Sequence, residues 1–237
     1  MTTVVISQPM LFPWVGMFEQ IRQADVFVHY ADVAFSKGSF VNRVQLKTAT
    51  GWEWMTIPLV SRQLGDLIQD LVADDSEDWR RRHLQRLAEL YRPAQYSEEM
   101  LELVRSVYDR SYSRLSDLLI ASCDAVCEYF GLARQTRFLH STELAIAGNS
   151  SQRVLNIVRH FDGTRYVTGH GAKNYLDHEA FEAAGIAVEY LDYRRLPYPQ
   201  LHGPFNPHVS ILDLIANCGR GGIKFIISPT QSWREMT

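Results

Sequence analysis

Two proline-rich loops hold the side chains that are best placed to bind or react with a small molecule. Six of the nine prolines lie within residues 9–13 and 197–207. Proline lowers the entropy of a loop and fixes its backbone direction, and polar groups on stiff loops are what a preformed ligand site needs. The alternative is a pair of rigid structural turns. The polar and aromatic residues in and beside these loops are Gln8, Trp14, Tyr198, Gln200, His202, Asn206 and His208.

The segment 32–43 (DVAFSKGSFVNR) is the densest polar cluster of the chain. It offers a carboxylate at Asp32, an ammonium at Lys37, an amide at Asn42 and a guanidinium at Arg43. Its Ser-Lys-Gly-Ser stretch could present backbone N–H groups and positive charge to a phosphate. The stretch is not a Walker loop, and a solvated turn is the alternative interpretation.

A third candidate is the turn Gly169-His170-Gly171, which follows a predicted strand and has Lys173 close behind. Glycines at such a turn allow a ligand to approach the backbone closely, and the lysine could bind an anion. The turn lacks the third glycine of a dinucleotide-binding fingerprint. A tight structural turn is therefore the competing explanation.

The cysteines do not predict a metal site or a nucleophile. Cys123 and Cys127 are four residues apart on an apolar helix, where buried packing is the expected role. Cys218 lies at a predicted helix C-terminus, where the helix dipole disfavours a thiolate. His202 and His208 lack the spacing of helical metal ligands. We expect no structural metal, and the sequence does not identify a cofactor.

Residues 79–92 (WRRRHLQRLAELYR) carry five arginines and one glutamate. Such a helix could meet phosphates or an acidic carrier protein, although a solvated helix face is the simpler interpretation. The net charge of the whole chain, 24 − 27 = −3, provides no global basic field for nucleic acid. Hydrophobic residues make up 46% and charged residues 22%, which is an ordinary globular mixture and excludes a disordered chain.

Three cysteines in 237 residues do not make a disulfide framework. No apolar stretch approaches 18 residues, and the N-terminus lacks a basic region before an apolar run. We therefore expect a soluble cytoplasmic protein without a membrane span or a nucleic-acid partner. Its oligomeric state is left open.

Hydrophobic periodicity predicts an α/β fold. The predicted strands are 4–6, 26–28, 52–60, 166–168 and 186–190, and the predicted helices are about 13–21, 76–92, 97–110, 114–130, 150–160, 177–184 and 207–218. We expect one domain over residues 1–237, with a mixed or parallel sheet flanked by helices. Residues 1–60 and 150–228 should build one sheet, and residues 76–130 should form a helical insertion or cap.

Three long motifs together resemble the WbqC-like family of bacterial proteins. The first is ISQPMLFPWVGMFEQIRQADVFVHYADVAFSKGSFVNRVQLKT, the second is RYVTGHGAKNYLD, and the third is YPQLHGPFNPHVSILDLIANCG. The resemblance spans essentially the whole chain. Family members often have histidine before the Gln-Pro pair, where this chain has Ser7.

The resemblance implies a role in polysaccharide or O-antigen biosynthesis or in secondary metabolism. It is consistent with the transfer of an acyl or aminoacyl group to an amine, such as an amino sugar, a sugar nucleotide or a secondary-metabolite intermediate. The family pattern falls on Gln8, Pro9, Pro13, Trp14, Asp32, Asn42, Arg43, Gly169, Lys173, Tyr175, Tyr198, Gln200, Ser210, Asp213 and Asn217.

We therefore expect Asp32 or Asp213 to act as the catalytic base or its orienter, and Gln8 to stabilise a developing oxyanion. The small-molecule substrate is expected to be anionic, and an acyl- or aminoacyl-carrier protein is a candidate partner. The expected substrate-binding residues are Trp14, Lys37, Asn42, Arg43, Gly169, Lys173, Tyr198, Gln200, His202, Asn206 and Asn217.

Two other functions are consistent with the same residues. The W-x-G-x-F stretch from Trp14 to Phe18 is similar in placement to the H-x-G-H loop of nucleotidyltransferases, although the histidines are absent. In a nucleotidyltransferase the cationic residues would hold a triphosphate with a magnesium ion. The other alternative is a non-catalytic protein that binds a sugar nucleotide in a polysaccharide pathway.

Overall fold

The computed structural model describes residues 1–36, 38–61, 63, 65–133, 135–193 and 196–236. Its strands form a main sheet of six and a separate hairpin of two. The hairpin is built from β3 and β4, and the other strands belong to the main sheet. The strands are β1 Thr3–Ser7, β2 Val26–His29, β3 Arg43–Thr48, β4 Gly51–Thr56, β5 Arg137–His140, β6 Arg165–Thr168, β7 Ala187–Leu191 and β8 Thr230–Ser232.

The main sheet has the spatial order β5-β2-β1-β6-β7-β8. All neighbouring strands are parallel except β7 and β8, which are antiparallel. In their order along the chain these six strands are arranged 3-2-1-4-5-6, which is the order of a doubly wound α/β sheet. The chain moves to one side of β1 for β2 and β5, and to the other side for β6 and β7. The order therefore reverses between β1 and β6.

In the described part of the chain, seven α-helices cover the sheet and form the insertion. Each face of the sheet has its own hydrophobic core, because successive side chains of a strand point to opposite faces. In β1, Val5 belongs to one core, while Val4 and Ile6 belong to the other. The helices are α1 Val15–Gln23, α2 Trp79–Tyr91, α3 Ser97–Tyr108, α4 Leu115–Phe130, α5 Ser150–His160, α6 His178–Ala183 and α7 Ile211–Cys218.

The helical insertion is confirmed as α2, α3 and α4. Asp78 caps the first of these helices by accepting a hydrogen bond from the backbone N–H of Arg81. Gly131 ends the last one in the left-handed conformation, with φ of 64°. All three helices bury apolar residues in the core that also contains Val5, so the insertion is part of the layer that covers one face of the sheet.

The structure corrects three details of the predicted sheet. The strand expected at 52–60 ends at Thr56 and pairs with β3 in the separate hairpin, because Gly51, with φ of 136°, allows the chain to reverse directly. Three strands were not predicted: β3, which completes the hairpin, and β5 and β8, which form the two edges of the main sheet. The last helix begins at Ile211 rather than near 207, since the side chain of Ser210 caps it there.

Candidate functional site

The point where the strand order reverses lies at the carboxyl ends of β1 and β6. These strands pair in parallel, with Val5 opposite Val167, so the turns that follow them lie side by side. Gln8 follows β1 and Gly169 follows β6. Doubly wound sheets bind their ligands in the crevice outside such strand ends. We name the space beside these two turns the switch-point crevice.

The indole of Trp14 lies at the N-terminus of α1, beside this crevice. It covers Gly16 so closely that a Cβ atom on that glycine would come within 2.2 Å of the ring. The W-x-G spacing is thus explained by packing, because only glycine leaves room for the indole. The other side of the ring system meets Tyr193, with 4.9 Å between ring centroids and a T-shaped arrangement. These contacts fix a broad aromatic surface at the start of the helix.

The loop between β1 and α1 contains a strained residue. Phe12 is fully buried and has a φ of 34°, in the region that glycine tolerates and other residues rarely adopt. Its N–H donates to Oγ of Ser122 (3.1 Å), and its carbonyl accepts from Oγ of Ser210 (2.7 Å). Strain of this kind costs about 1–3 kcal/mol and is common at ligand sites.

The Gly169-His170-Gly171 turn forms the other side of the crevice. Gly169 has a φ of −91°, which any residue adopts, and a Cβ there would meet only Nε2 of Gln20 at an ordinary 3.5 Å. Gly171 does not have a positive φ, and a Cβ there would meet nothing within 4 Å. Neither backbone conformation nor packing within the described structure therefore requires glycine at these two positions.

Asp32 lies beyond the end of β2, on the same edge of the sheet. Its carboxylate forms an ion pair with the guanidinium of Arg153 and accepts a hydrogen bond from Ser141. The Arg153 side chain also donates to the carbonyl of Ile146 (3.2 Å) and lies 5.2 Å from the ring centroid of Tyr30. Sequence reasoning missed Arg153 and Ser141, because an arginine on an amphipathic helix and a serine after a short strand give no local signal.

Asp213 is placed quite differently, in a buried polar network. Its side chain is fully buried and accepts hydrogen bonds from the hydroxyls of Tyr198 (2.9 Å) and Tyr91 (3.1 Å). Nδ2 of Asn217 donates to its backbone carbonyl (2.8 Å). Burial raises the pKa of the Asp213 carboxyl, while the hydrogen bonds from the two tyrosines oppose that shift. The arrangement holds α2, α7 and the second proline-rich loop together.

Lys47 extends this network, and the sequence did not single it out. Only 3% of the residue is exposed, and Nζ donates to Oε1 of Gln200 (2.9 Å) and to the carbonyl of Gly203 (3.1 Å). Gln200 in turn donates to the hydroxyl of Tyr198 (2.9 Å) and to the carbonyl of Asn206 (3.0 Å). Burial lowers the pKa of the Lys47 ammonium. These hydrogen bonds hold the second proline-rich loop in place. We name the network of Lys47, Tyr91, Tyr198, Gln200 and Asp213 the clamp.

Segment 32–43 is held by contacts within itself and by contacts to neighbouring segments. Asn42 is buried and donates to the carbonyl of Ile57 (2.9 Å). Arg43 donates to the carbonyls of Gly38 (2.5 Å) and Ser39 (3.2 Å), and its guanidinium stacks on Trp54 at 4.0 Å from the ring centroid. The role of Arg43 as an anion anchor stays a prediction. Lys37, the other predicted cation of this segment, lies outside the described residues.

Of the remaining predicted residues, His202 contacts the end of α2 and Lys173 is exposed. Nε2 of His202 is 3.0 Å from the carbonyl of Leu90, and the residue has a φ of 65°. Lys173 is exposed just after the short 3-10 helix His170–Ala172. The start of α7 contacts the first proline-rich loop, since the N–H of Ile211 donates to the carbonyl of Pro13 (3.0 Å). The partners of Asp32 and those of Asp213 do not overlap among the described residues.

His29, the last residue of β2, is a candidate that sequence reasoning missed. Only 2% of it is exposed, and its Nε2 has no hydrogen-bond partner within the described part of the chain. Burial, with a smaller contribution from His140, lowers the pKa of His29 to about 3, so the imidazole is neutral near pH 7. A histidine closing an otherwise apolar strand was the one available signal.

The arginine-rich helix α2 does not present free positive charge along its first turns. Arg80 pairs with Asp75, Arg81 with Asp78 and Arg86 with Glu53. These local ion pairs favour the simpler interpretation of a solvated helix face over a phosphate-binding surface.

A groove of about 690 Å³ lies between α3, α4 and the 3-10 helix Gly219–Phe225. Its walls include Glu99, Glu128, Tyr129 and Arg220, but none of the residues that the sequence analysis selected. It is also remote in topology from the strand ends where doubly wound sheets bind ligands. We therefore place the candidate site at the switch-point crevice.

The described residues include no candidate membrane span and no candidate metal-binding cluster. None of their helices has the length and apolar character needed to cross a membrane. Within the same ranges, no three histidine, cysteine, aspartate or glutamate side chains are grouped in a way that could hold a metal ion.

The sheet order defines a doubly wound α/β protein, and its switch point is the candidate site. The chain matches the WbqC-like protein family over residues 8–225, and it belongs to that family. It is 32% identical over 222 residues to "Uncharacterized protein Rv1507c" of Mycobacterium tuberculosis (strain ATCC 25618 / H37Rv). The aligned residues cover 92% of this chain and 95% of that protein. No solved structure was found to match the chain.

Proposed function

We propose that this protein is a transferase that moves an acyl or aminoacyl group to an amine acceptor bound in the switch-point crevice. The acceptor class is an amino sugar, a sugar nucleotide or a related secondary-metabolite intermediate. The proposal combines the family membership with the position of the crevice between β1 and β6. A cytoplasmic location and a carrier-protein partner remain parts of this proposal.

The observation that carries the binding site is the pair of glycines at the end of β6. Gly169 and Gly171 have neither a positive φ nor a close neighbour that would exclude a side chain. The contacts of the described protein atoms do not require glycine at these positions. A ligand lying against the backbone would require it. The same turn faces the loop that contains Gln8, across the paired strands.

Amide formation requires a neutral amine, a base for its proton and donors for the developing oxyanion. Gln8, half-buried at the end of β1, is the side chain we assign to the oxyanion. Asp32 is the carboxylate that lies on this edge of the sheet, with Arg153 fixing its orientation. We therefore assign the base to Asp32 and give Asp213 a positioning role, since Asp213 is fully buried whereas 17% of the Asp32 side chain is exposed.

Binding can be tested with UDP-glucosamine, a sugar nucleotide that carries a free amine. We expect calorimetry to show at least tenfold weaker binding to Gly171→Ala than to the wild-type protein, at an unchanged melting temperature. Gly221→Ala is the matched control, because a Cβ there also meets nothing within 4 Å and Gly221 lies in the 3-10 helix at the other groove. Equal affinities of the wild-type protein and both variants would show that UDP-glucosamine does not bind against this turn.

Chemistry can be tested with acetyl- and alanyl-pantetheine thioesters as donors and UDP-glucosamine as acceptor. Mass spectrometry should detect an amide product that depends on Asp32. Pyrophosphate release from a nucleoside triphosphate and a sugar phosphate would instead favour the nucleotidyltransferase alternative. Tight binding of the sugar nucleotide without any turnover would favour the non-catalytic binding protein.

A further inference from the structure

The outer face of the hairpin formed by β3 and β4 points away from the hydrophobic core. On the inner face, Val44, Leu46 and Met55 are buried in that core. Side chains alternate along a strand, so the intervening residues share the opposite face. We name this surface the aromatic face, and its residues are Arg43, Gln45, Lys47, Trp52, Trp54 and Thr56. It carries two basic side chains, and none of its residues is acidic.

Three aromatic rings cluster on and beside this face. Trp52 is 51% exposed, and its ring meets that of Trp54 in a T-shaped arrangement with 5.4 Å between centroids. Phe40, which is 44% exposed, lies 5.5 Å from the Trp54 ring. Single exposed hydrophobic residues are common, but a cluster of this kind marks a binding surface. The exposed indole of Trp52 offers a flat surface on which a planar ring can stack.

The charge of the aromatic face favours an anionic ligand. The guanidinium of Arg43 lies 4.0 Å from the ring centroid of Trp54. Its described hydrogen bonds go to the carbonyls of Gly38 and Ser39, and no described carboxylate forms an ion pair with it. A guanidinium has five N–H donors and binds a phosphate through two of them at once. A planar ring joined to a phosphate, as in a nucleotide, matches both the exposed indole and the cation.

The aromatic face joins the second proline-rich loop to the switch-point crevice. Nζ of Lys47 donates to two oxygens of that loop, so the loop borders one end of the face. In the middle of the face, the carbonyl of Gln45 accepts from the N–H of Ser210 (2.9 Å). Ser210 also forms an antiparallel β-bridge with Trp14, which lies beside the crevice. The aromatic face is therefore continuous with the candidate site.

We propose that the aromatic face binds the nucleotide part of a sugar-nucleotide substrate, with the base stacked on Trp52 and a phosphate paired with Arg43. Gln45, which lies opposite Trp54, offers an amide that can both donate to and accept from the edge of the base. The proposal rests on the proposed function only for the sugar, which would reach from here into the switch-point crevice. It limits the acceptor to the sugar nucleotides among the classes named above.

UMP is a suitable probe, because it has the base and a phosphate but no sugar to occupy the crevice. In calorimetry on the wild-type protein, ribose 5-phosphate should bind at least fivefold more weakly than UMP, since it lacks the stacking base. Uridine should bind at least tenfold more weakly, since it lacks the phosphate. Equal binding of UMP and ribose 5-phosphate would overturn the proposal. These comparisons need only the wild-type protein.

The Trp52→Ala variant should bind UMP at least fivefold more weakly at an unchanged melting temperature, because the indole is exposed. Trp52→Phe keeps a flat ring and should recover most of the affinity. Ile227→Ala is the control, because that side chain is apolar, 53% exposed and outside the aromatic face, and it should bind UMP like the wild type. Wild-type affinity of Trp52→Ala for UMP would overturn the proposal. So would a wild-type dimer that Trp52→Ala separates in analytical ultracentrifugation, since a second copy would then cover this face.

The aromatic face and the crevice can fail separately in these experiments. Gly171→Ala should bind UMP like the wild type, because UMP does not reach the crevice. UDP-glucosamine binding that is weakened by Gly171→Ala but not by Trp52→Ala would overturn the aromatic face and leave the proposed function standing. UMP binding that depends on Trp52, with UDP-glucosamine binding that does not depend on Gly171, would support the aromatic face and count against the crevice.

Discussion

Acid should destabilise this protein through His29, by an amount that the structure allows us to calculate. The pKa of His29 is lowered to about 3 in the folded protein, whereas a histidine in the unfolded chain has a pKa of about 6.5. Below pH 6.5 the unfolded chain therefore binds a proton that the folded protein does not. The free energy of unfolding must fall as the pH drops from about 6.5 towards 3.

The size of this loss follows from the difference between pH 6.5 and the working pH. At pH 5 the difference is 1.5 units, and at about 1.36 kcal/mol per unit this corresponds to about 2 kcal/mol for His29. Burial also lowers the pKa of His83 to about 4, so this residue should contribute a similar amount. The wild-type protein should thus lose about 4 kcal/mol from the two histidines between pH 7 and pH 5.

The His29 contribution can be isolated by urea denaturation of the wild-type protein and His29→Phe at pH 7 and at pH 5. Other titratable groups contribute equally to both proteins and cancel in the comparison. The variant should lose about 2 kcal/mol less than the wild type over this pH range. Parallel losses would refute the reasoning, because they would mean that His29 takes up its proton equally well in the folded protein.

Three further predictions concern the clamp, the cysteines and the first anion candidate. Lys47→Met should lower the free energy of unfolding by about 2 kcal/mol, since two part-buried hydrogen bonds from a charged donor are lost, while the exposed control Lys173→Met should change it by less than about 0.5 kcal/mol in the same urea titration. The double Ala variant of Cys123 and Cys127 should lose about 2 kcal/mol and still bind UDP-glucosamine; stoichiometric zinc in the wild type that this variant lacks would contradict the packing role. Arg43→Lys keeps the charge but not the planar fork, so it should weaken UDP-glucosamine binding measured by calorimetry; a stability loss with unchanged affinity would place the arginine outside the site.

Much of the fold could be predicted because local signals and tertiary structure agree there. The insertion has helical periodicity with clear ends, such as Gly131 after α4, and its three helices were found within a few residues. The edge strand β5 could not be found in the same way. Its four residues include two polar side chains, and it becomes a strand only because β2 offers an open edge beside it.

The hairpin shows the opposite case, in which a strand was predicted correctly but its partner was not. Residues 51–56 do form β4, yet they pair with β3 across Gly51 and do not join the main sheet. Pairing depends on which hydrogen-bonding edges are available in three dimensions. A propensity for extended structure carries no information about that choice.

The candidate residues divide by a property that the sequence does not display, namely whether their hydrogen-bonding capacity is already used. The carboxylate of Asp213 accepts hydrogen bonds from two tyrosines, and Gln200 forms hydrogen bonds through both ends of its amide. These contacts give both residues a structural role in the clamp. Nε2 of His29 and the open space beside Gly171 are left unused by the described protein. In the sequence alone, residue type does not distinguish the first group from the second. Ligand binding belongs with the second group, because an unpaired buried nitrogen costs stability until another molecule occupies the place, and open space beside a backbone lets a ligand approach it closely.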